Sequence, residues 1–278
     1  MSTAIVERAK AKVNLALHVL GRRADGYHEL DSIVGFADVV DVLHVEAAEQ
    51  TSLVVTGPFA AAVPEDGGNL ILRAHAMLRE HVVLPAMRVH LEKNLPVVAG
   101  IGGGSADAAA ALRALITFLD RPIDDVLLQR IALALGADVP VCLRQRASRM
   151  MGIGERLSDI ESLPAPAIVL VNPGVPCSTA EVFARLGLMP GAQHLSALDP
   201  TQPKSWRNDL TAAAEFVQPA ITDVLLALAA CGELTDHRMS GSGATCFGLA
   251  PSMDVADAVA TRLKSLRPDW WVCAASLG

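Results

Sequence analysis

The stretch LPVVAGIGGGSAD, residues 95–107, decides how this chain is read. Three consecutive glycines, Gly102 to Gly104, follow an apolar segment and lead through Ser105 into an alanine-rich run. Glycine has no Cβ, so the backbone there can approach a ligand closely. A helix starting at this point presents unpaired N–H groups and the positive end of its dipole. Together these make an anion site, most often for phosphate. The competing reading is a structural turn between a strand and a helix, since glycine runs also serve plain turns. Two common phosphate loops are excluded. No Gly-x4-Gly-Lys-Ser/Thr string occurs. A dinucleotide fingerprint begun at Gly100 fails at Ser105, where glycine or alanine is required.

Composition narrows the class. The 278 residues suffice for one large domain or two ordinary ones. With 51% hydrophobic residues and a mean hydropathy of +0.37, a substantial core is expected. No apolar run reaches the roughly 18–20 residues of a membrane span, and the N-terminus lacks an apolar signal region. A net charge of −7 without a dense basic cluster argues against nucleic-acid binding; the richest basic stretch, Arg144 to Arg156, is sparse. The five cysteines (Cys142, Cys177, Cys231, Cys246 and Cys273) never fall closer than 15 residues apart. That spacing excludes a zinc finger and suits reduced, buried thiols of a cytoplasmic protein.

Periodicity gives a coarse order of elements. Val13, Leu15, Leu17 and Val19 alternate with Lys12, Asn14 and His18, as in a half-buried strand. GRRADGY (21–27) reads as a turn. Strands are expected near Val39–Val45, Ser52–Val55 and Met87–Leu91, with a helix beginning at Asn69. Leu112, Leu115, Ile116 and Leu119 mark one helix face, expected to run until Pro122. Asp124 is placed to cap a further helix, which Gly136 ends. A domain boundary is expected near Leu163–Pro166, giving 1–163 and 164–278. The second part alternates strands (168–171, 245–249, 270–274) with helices (179–186, 211–216, 221–230, 255–266). It carries a second glycine loop, Ser240-Gly241-Ser242-Gly243.

Three places could carry chemistry. Asp138 is a carboxylate in an otherwise apolar stretch, ALALGADVPVCL. It reads either as a cap or turn residue or as a general base. Lys12 reads either as a solvated strand lysine or as a charge that neutralises phosphate or holds an aspartate ionised. Tyr27, the only tyrosine, precedes His28 in a polar turn. It reads either as a surface turn residue or as a ring packed on a planar ligand.

These motifs together resemble those of the GHMP-type small-molecule kinases. Within that family they resemble the subfamily that phosphorylates a cytidine-diphosphate sugar alcohol in the non-mevalonate isoprenoid route. The motifs are AKVNLALHVLGRRADGYHELDS (11–32), LPVVAGIGGGSADAAAAL (95–112) and MSGSGATCFGL (239–249). They are joined by GADVP (136–140), NPGVPCSTAEVF (172–183) and NDL (208–210). The resemblance implies an α+β, two-lobed fold with a ribosomal-S5-like N-terminal lobe and a ferredoxin-like split β-α-β C-terminal lobe. It implies Asp138 as catalytic base with Lys12 as its charged neighbour. Gly102, Gly103, Gly104 and Ser105 then cradle the ATP phosphates, Pro96 and Gly100 belong to the same ATP site, and Asn69 and Lys93 lie near the adenine. Asn14, Tyr27, His28, Asp138, Thr179 and Phe183 match substrate contacts, Tyr27 and Phe183 stacking on the cytosine. Gly241, Ser242 and Gly243 lie in the loop that closes on the substrate.

ATP and Mg²⁺ are the implied cofactors, the ion held mainly by phosphates rather than by a protein metal site. The implied partners are small molecules, with no nucleic acid and no membrane, in a monomer or weak homodimer. Ile101, Val141-Cys142 and Gln145-Arg146 depart from the family pattern, the last pair standing where glycines are usual. Three alternatives are weighed. A homoserine- or mevalonate-type kinase assigns no role to Tyr27, His28 and Phe183. A non-catalytic relative would be expected to lose Lys12, Asp138 or the glycine loop. A dinucleotide enzyme fails on the fingerprint.

Overall fold

The computed structural model describes residues 4–119, 122–193 and 198–278. Its strands are β1 (Ile5–Arg22), β2 (His28–Ala48), β3 (Ser52–Thr56), β4 (Ala86–Glu92), β5 (Ser148–Gly152), β6 (Arg156–Asp159), β7 (Ala167–Asn172), β8 (Asp236–Met239), β9 (Cys246–Ala250) and β10 (Trp271–Ser276). Its helices are α1 (Leu70–Arg79), α2 (Gly103–Ile116), α3 (Asp125–Leu135), α4 (Val139–Arg144), α5 (Thr179–Arg185), α6 (Thr211–Val217), α7 (Ala220–Ala229) and α8 (Met253–Leu266). They form two compact units, each assembled from separate segments. The first holds Met1–Ala11, Val39–Val97 and Gly102–Gln145; the second holds Lys12–Asp38, Val98–Ile101 and Arg146–Gly278. Strands β1 and β2 each run through both.

In the first unit β4 pairs antiparallel with β2, setting Leu43 opposite Leu91 and Val45 opposite Val89, and pairs parallel with β3. The two-residue strand period buries Leu43, Val45, Met87, Val89 and Leu91 and turns His44, His90 and Glu92 to the other face. Ile71 of α1 and Ala111 and Leu115 of α2 meet the buried face. The α2 alanines 106, 108–111 and 114 are all buried. Alanine favours the helix and lets neighbouring backbones come close. The helix stops at Ile116, six residues before Pro122, and leaves Leu119 outside it. Thr117 ends it, N and Oγ1 both donating to the Ala114 carbonyl. Asp124 does cap α3, accepting from Val126 N at 3.2 Å, and Gly136 ends it.

In the second unit the antiparallel sheet runs β10–β7–β9–β8. Numbered by sequence this is the order 4-1-3-2 of a ferredoxin-like split β-α-β layer. Helix α8 covers β10 and β7, and α7 covers β8 and β9. The core joins Val169 and Val171 to Val259, Leu263 and Val272. The first part of β2 pairs with β5, which pairs with β6.

Strand β1 corrects the half-buried expectation. Ala11 through Val19 are all buried, including Lys12, Asn14 and His18. Lys12 and Asn14 are tolerated there because they are bonded, Lys12 Nζ to Asn14 Oδ1 at 2.8 Å and Asn14 Nδ2 to Ser32 Oγ at 2.8 Å. The five cysteines form no disulfide; Cys142, Cys177, Cys231 and Cys246 are buried and Cys273 is half-buried. Among the described residues no helix is long and apolar enough to cross a membrane.

Candidate active site

The glycine stretch becomes a helix start in the first unit. Gly102 is the α2 N-cap in the left-handed region at φ 64°, and no side chain caps the helix. The first-turn N–H groups therefore keep their donor capacity for an anion. A Cβ on Gly103 would stand 3.2 Å from Lys93 Nζ and 3.8 Å from the carbonyl oxygen of buried Pro96. The bare backbone is what lets the helix start lie this close. Charge and shape at this cradle fit a phosphate group.

What holds the helix start is a buried ion triad. Lys93 Nζ lies 2.6 Å from both Asp41 Oδ2 and Asp107 Oδ2. Asp41 sits at a core-facing position of β2, where an unpaired carboxylate would be costly. It accepts from Lys93 and, through Oδ1, from the backbone N–H of Asn94 at 2.6 Å and Leu95 at 2.9 Å. Burial pulls the Lys93 ammonium toward neutrality, but the two carboxylates outweigh it and hold it protonated above its ordinary range. Asp107 is pushed up to about 7, first by burial and then, against the pull of Lys93, by the Asp41 charge. Its Oδ1 is buried without a hydrogen-bond partner. Lys93 thus spends its charge inside the unit. Asn69 is similarly engaged: Oδ1 caps α1 at Ile71 N, 2.9 Å, and Nδ2 donates to the Pro64 carbonyl at 2.7 Å.

Asp138 lies at the N-cap position of α4, half-buried, yet its carboxylate makes no capping bond. Arg113 of α2 ties the two helices by donating to the Cys142 carbonyl at 3.1 Å. A Cβ on Gly136, two residues before Asp138, would be 3.9 Å from Ser105 Oγ, so the Asp138 turn sits beside the first turn of α2. At the far end of α4, Gln145 takes a left-handed φ of 47°. That is a conformation glycine adopts most easily, and the Gln145 Nε2 donates to the Arg8 carbonyl at 2.6 Å.

The second glycine loop is pinned within the second unit. Ser240 Oγ donates to the Gly100 carbonyl at 2.8 Å and accepts from Asn14 N at 3.0 Å. Asn208 Nδ2 donates to the carbonyls of Met239 and Gly241, both at 2.8 Å. Ser242 Oγ bonds Thr179 Oγ1 at 2.7 Å, and the Ser242 carbonyl accepts from Cys177 Sγ at 3.2 Å. Gly100 has φ 75°, and a Cβ there would meet the Ser240 carbonyl oxygen at 2.4 Å. Its absence of a side chain serves the packing of these two loops.

In the same unit the rings of His28 and Phe183 stand 4.7 Å apart at 34°. His28 Nε2 is buried without a partner. Burial, and then the Arg22 charge, hold its pKa below the ordinary 6.5, so the ring is neutral. Tyr27 is 60% exposed, and its N–H bonds Asp25 Oδ1 at 3.1 Å. Of the aromatic residues read from the sequence, His28 and Phe183 are therefore brought together, while the Tyr27 ring stands in solvent.

Residues 69–146 match the GHMP kinases N terminal domain, and residues 191–268 match the GHMP kinases C terminal domain. The chain belongs to the GHMP kinase family. Over 97% of both chains it is 48% identical to a protein of Paramagnetospirillum magneticum named 4-diphosphocytidyl-2-C-methyl-D-erythritol kinase. It is 44% identical to a protein of the same name from Bradyrhizobium diazoefficiens, over 99% of this chain and 98% of that one. A crystal structure of 4-(cytidine 5'-diphospho)-2C-methyl-D-erythritol kinase superposes with a TM-score of 0.81 at 33% identity, covering 99% of each chain. A homoserine kinase from Cytophaga hutchinsonii shares the fold at a TM-score of 0.71 and 15% identity, over 99% of this chain and 95% of that one.

Sequence reasoning about this GHMP kinase missed Asp41 and Asp107, the partners of Lys93, and the role of Asn208. Asp41 left a signal, an acid at a core position of the alternating run VVDVLHV. Asn208 left only a motif whose geometry appears once the loop it pins is in place.

Proposed function

We propose that this GHMP kinase transfers the γ-phosphoryl group of ATP to the 2-hydroxyl of 4-diphosphocytidyl-2-C-methyl-D-erythritol, giving the 2-phosphate and ADP. Full-length similarity to proteins of that name carries the reading, and the helix start at Gly102, free of a side-chain cap, supplies its chemistry. Asp138 accepts the hydroxyl proton as that oxygen attacks the γ-phosphorus. The N–H groups of Gly103, Gly104 and Ser105 hold phosphate oxygens, and Lys12 offsets charge that develops during transfer. Mg²⁺, held mainly by the phosphates, supplies further charge neutralisation when bound. Phe183 packs on the cytosine, and the free Nε2 of neutral His28 hydrogen-bonds it. Asn14, Thr179 and the loop 241–243 complete the substrate contacts.

The test is turnover with ATP and Mg²⁺ on the cytidylyl substrate, homoserine and mevalonate, with Asp138→Asn in parallel. The reading expects turnover of the cytidylyl substrate alone. It expects the variant to lose about 10²–10⁴-fold in kcat, the range of general-base catalysis, with nucleotide binding intact. Turnover of homoserine or mevalonate instead would remove the cytidine assignment. A near-normal kcat in the variant would remove the base.

A further inference from the structure

The outer face of the β3–β4–β2 sheet carries a group of side chains that the kinase reaction does not use. His44 of β2 stands directly opposite His90 of β4. Glu92 follows His90 by two residues and so lies on the same face. His44 Nε2 is 3.3 Å from Glu92 Oε1, and the two imidazoles stack with centroids 5.8 Å apart at 24°. One ligand atom from each of the three residues lies within 4.8 Å of the other two. All three side chains are half-exposed. Their strands are anchored from beneath by buried Leu43, Val45, Val89 and Leu91, which fixes where the three side chains start.

We propose that His44, His90 and Glu92 bind one divalent transition-metal ion of the zinc class. The separations suit it. Metal–nitrogen bonds of about 2.0–2.1 Å and metal–oxygen bonds of about 2.0–2.2 Å in a tetrahedron put neighbouring ligand atoms about 3.4 Å apart. The His44–Glu92 edge already has that length. Half-exposed side chains on a fixed backbone close the remaining distance by small rotations. Two imidazoles and one carboxylate are a borderline donor set, matched to Zn²⁺, Co²⁺, Ni²⁺ or Cu²⁺ rather than to the oxygen-seeking Mg²⁺ of the phosphoryl transfer. The open fourth position takes water. Thr56 Oγ1, 2.7 Å from His90 Nε2, bonds that ring in the metal-free state and gives way to the ion or becomes a neighbour of its water. The bound ion clasps β2 to β4 from outside, on the face opposite Leu43 and Leu91.

The full, tag-free chain, stripped with EDTA, is titrated with Co²⁺ and followed by its visible d–d absorption, then with Zn²⁺ in competition. Saturation at one Co²⁺ per chain, displaced by Zn²⁺ and not by Mg²⁺, is expected. Loss of a ligand in His44→Ala or His90→Ala should weaken binding by at least about 10-fold, the scale on which metal sites respond even to a lost supporting contact. His81→Ala, at an exposed histidine of the same unit, should change nothing. Turnover with Mg²⁺ and ATP should be unchanged in metal-free His90→Ala. Absence of saturable Co²⁺ binding overturns the proposal. So does saturation that is insensitive to both histidine substitutions.

Discussion

Replacing Lys93 by methionine tests whether the buried triad holds the glycine-loop unit together. The substitution keeps the aliphatic volume and removes the ammonium. It leaves Asp41, fully buried, and Asp107, nearly so, facing each other without a cation. Breaking a buried pair by removing one partner costs about 3–5 kcal/mol. For chains somewhat smaller than this one, each kcal/mol lowers the melting temperature by about 2–4 °C, so a fall of about 6–20 °C is expected. Far-UV circular dichroism is the suitable probe. Helices α1–α4 lie in the affected unit, whereas Trp206, Trp270 and Trp271 all lie in the other. The double variant Lys93→Met/Asp41→Asn should recover part of the loss, because the Asp41 charge is gone while an amide oxygen remains for the N–H groups of Asn94 and Leu95. The nucleotide KM should rise in Lys93→Met, since α2 loses its tie to Asp41. A melting temperature within about 2 °C of wild type would refute the reasoning, because it would mean that stranding the two carboxylates costs nothing. A double variant no better than the single would refute the charge argument specifically.

Other outcomes follow from the same geometry. Asp107 has a folded pKa of about 7 against an ordinary 3.8. Its contribution to stability is thus fully present below about pH 4 and is lost as pH rises through about 7; pH-dependent melting of Asp107→Asn should lack that decline. Phe183→Ala and His28→Ala should raise the KM for the cytidylyl substrate while leaving the KM for ATP unchanged, as steady-state kinetics would reveal. Gly100→Ala should destabilise severely or prevent folding, because its Cβ would stand 2.4 Å from the Ser240 carbonyl oxygen at φ 75°; soluble yield and melting temperature report it. Gln145→Ala keeps the left-handed strain and loses the bond to Arg8, for a cost of about 1 kcal/mol. Gln145→Gly relieves the strain and should be nearly neutral in chemical denaturation.

Much of this is legible in the sequence. The helix start at Gly102, the Asp124 cap and the Gly136 stop each rest on local chemistry that a single residue type signals. Burial of Lys12 and Asn14 was not legible, because alternation reports one covered face and says nothing about a second cover contributed by residues far along the chain. The Lys93 triad was hidden for a related reason. Its members lie 52 and 14 residues from the lysine, and no local pattern pairs them. Interleaving of the two units escapes periodicity altogether, since it arises from strands of 18 and 21 residues that outrun the unit each begins in.

That interleaving has a consequence for synthesis. All segments of the first unit have been translated once Gln145 is made. The second unit holds Lys12–Asp38 from the outset, but its other main segment begins only at Arg146. Val13, Leu15, Ile33, Val34 and Phe36 are fully buried in the finished protein. Asp31 meets its Arg149 partner across 118 residues of chain. At about 5–20 residues per second, that separation is about 6–24 s on the ribosome. For that interval the Lys12–Asp38 part of β1 and β2 is an apolar stretch whose cover is not yet complete, and a holding chaperone would shield it.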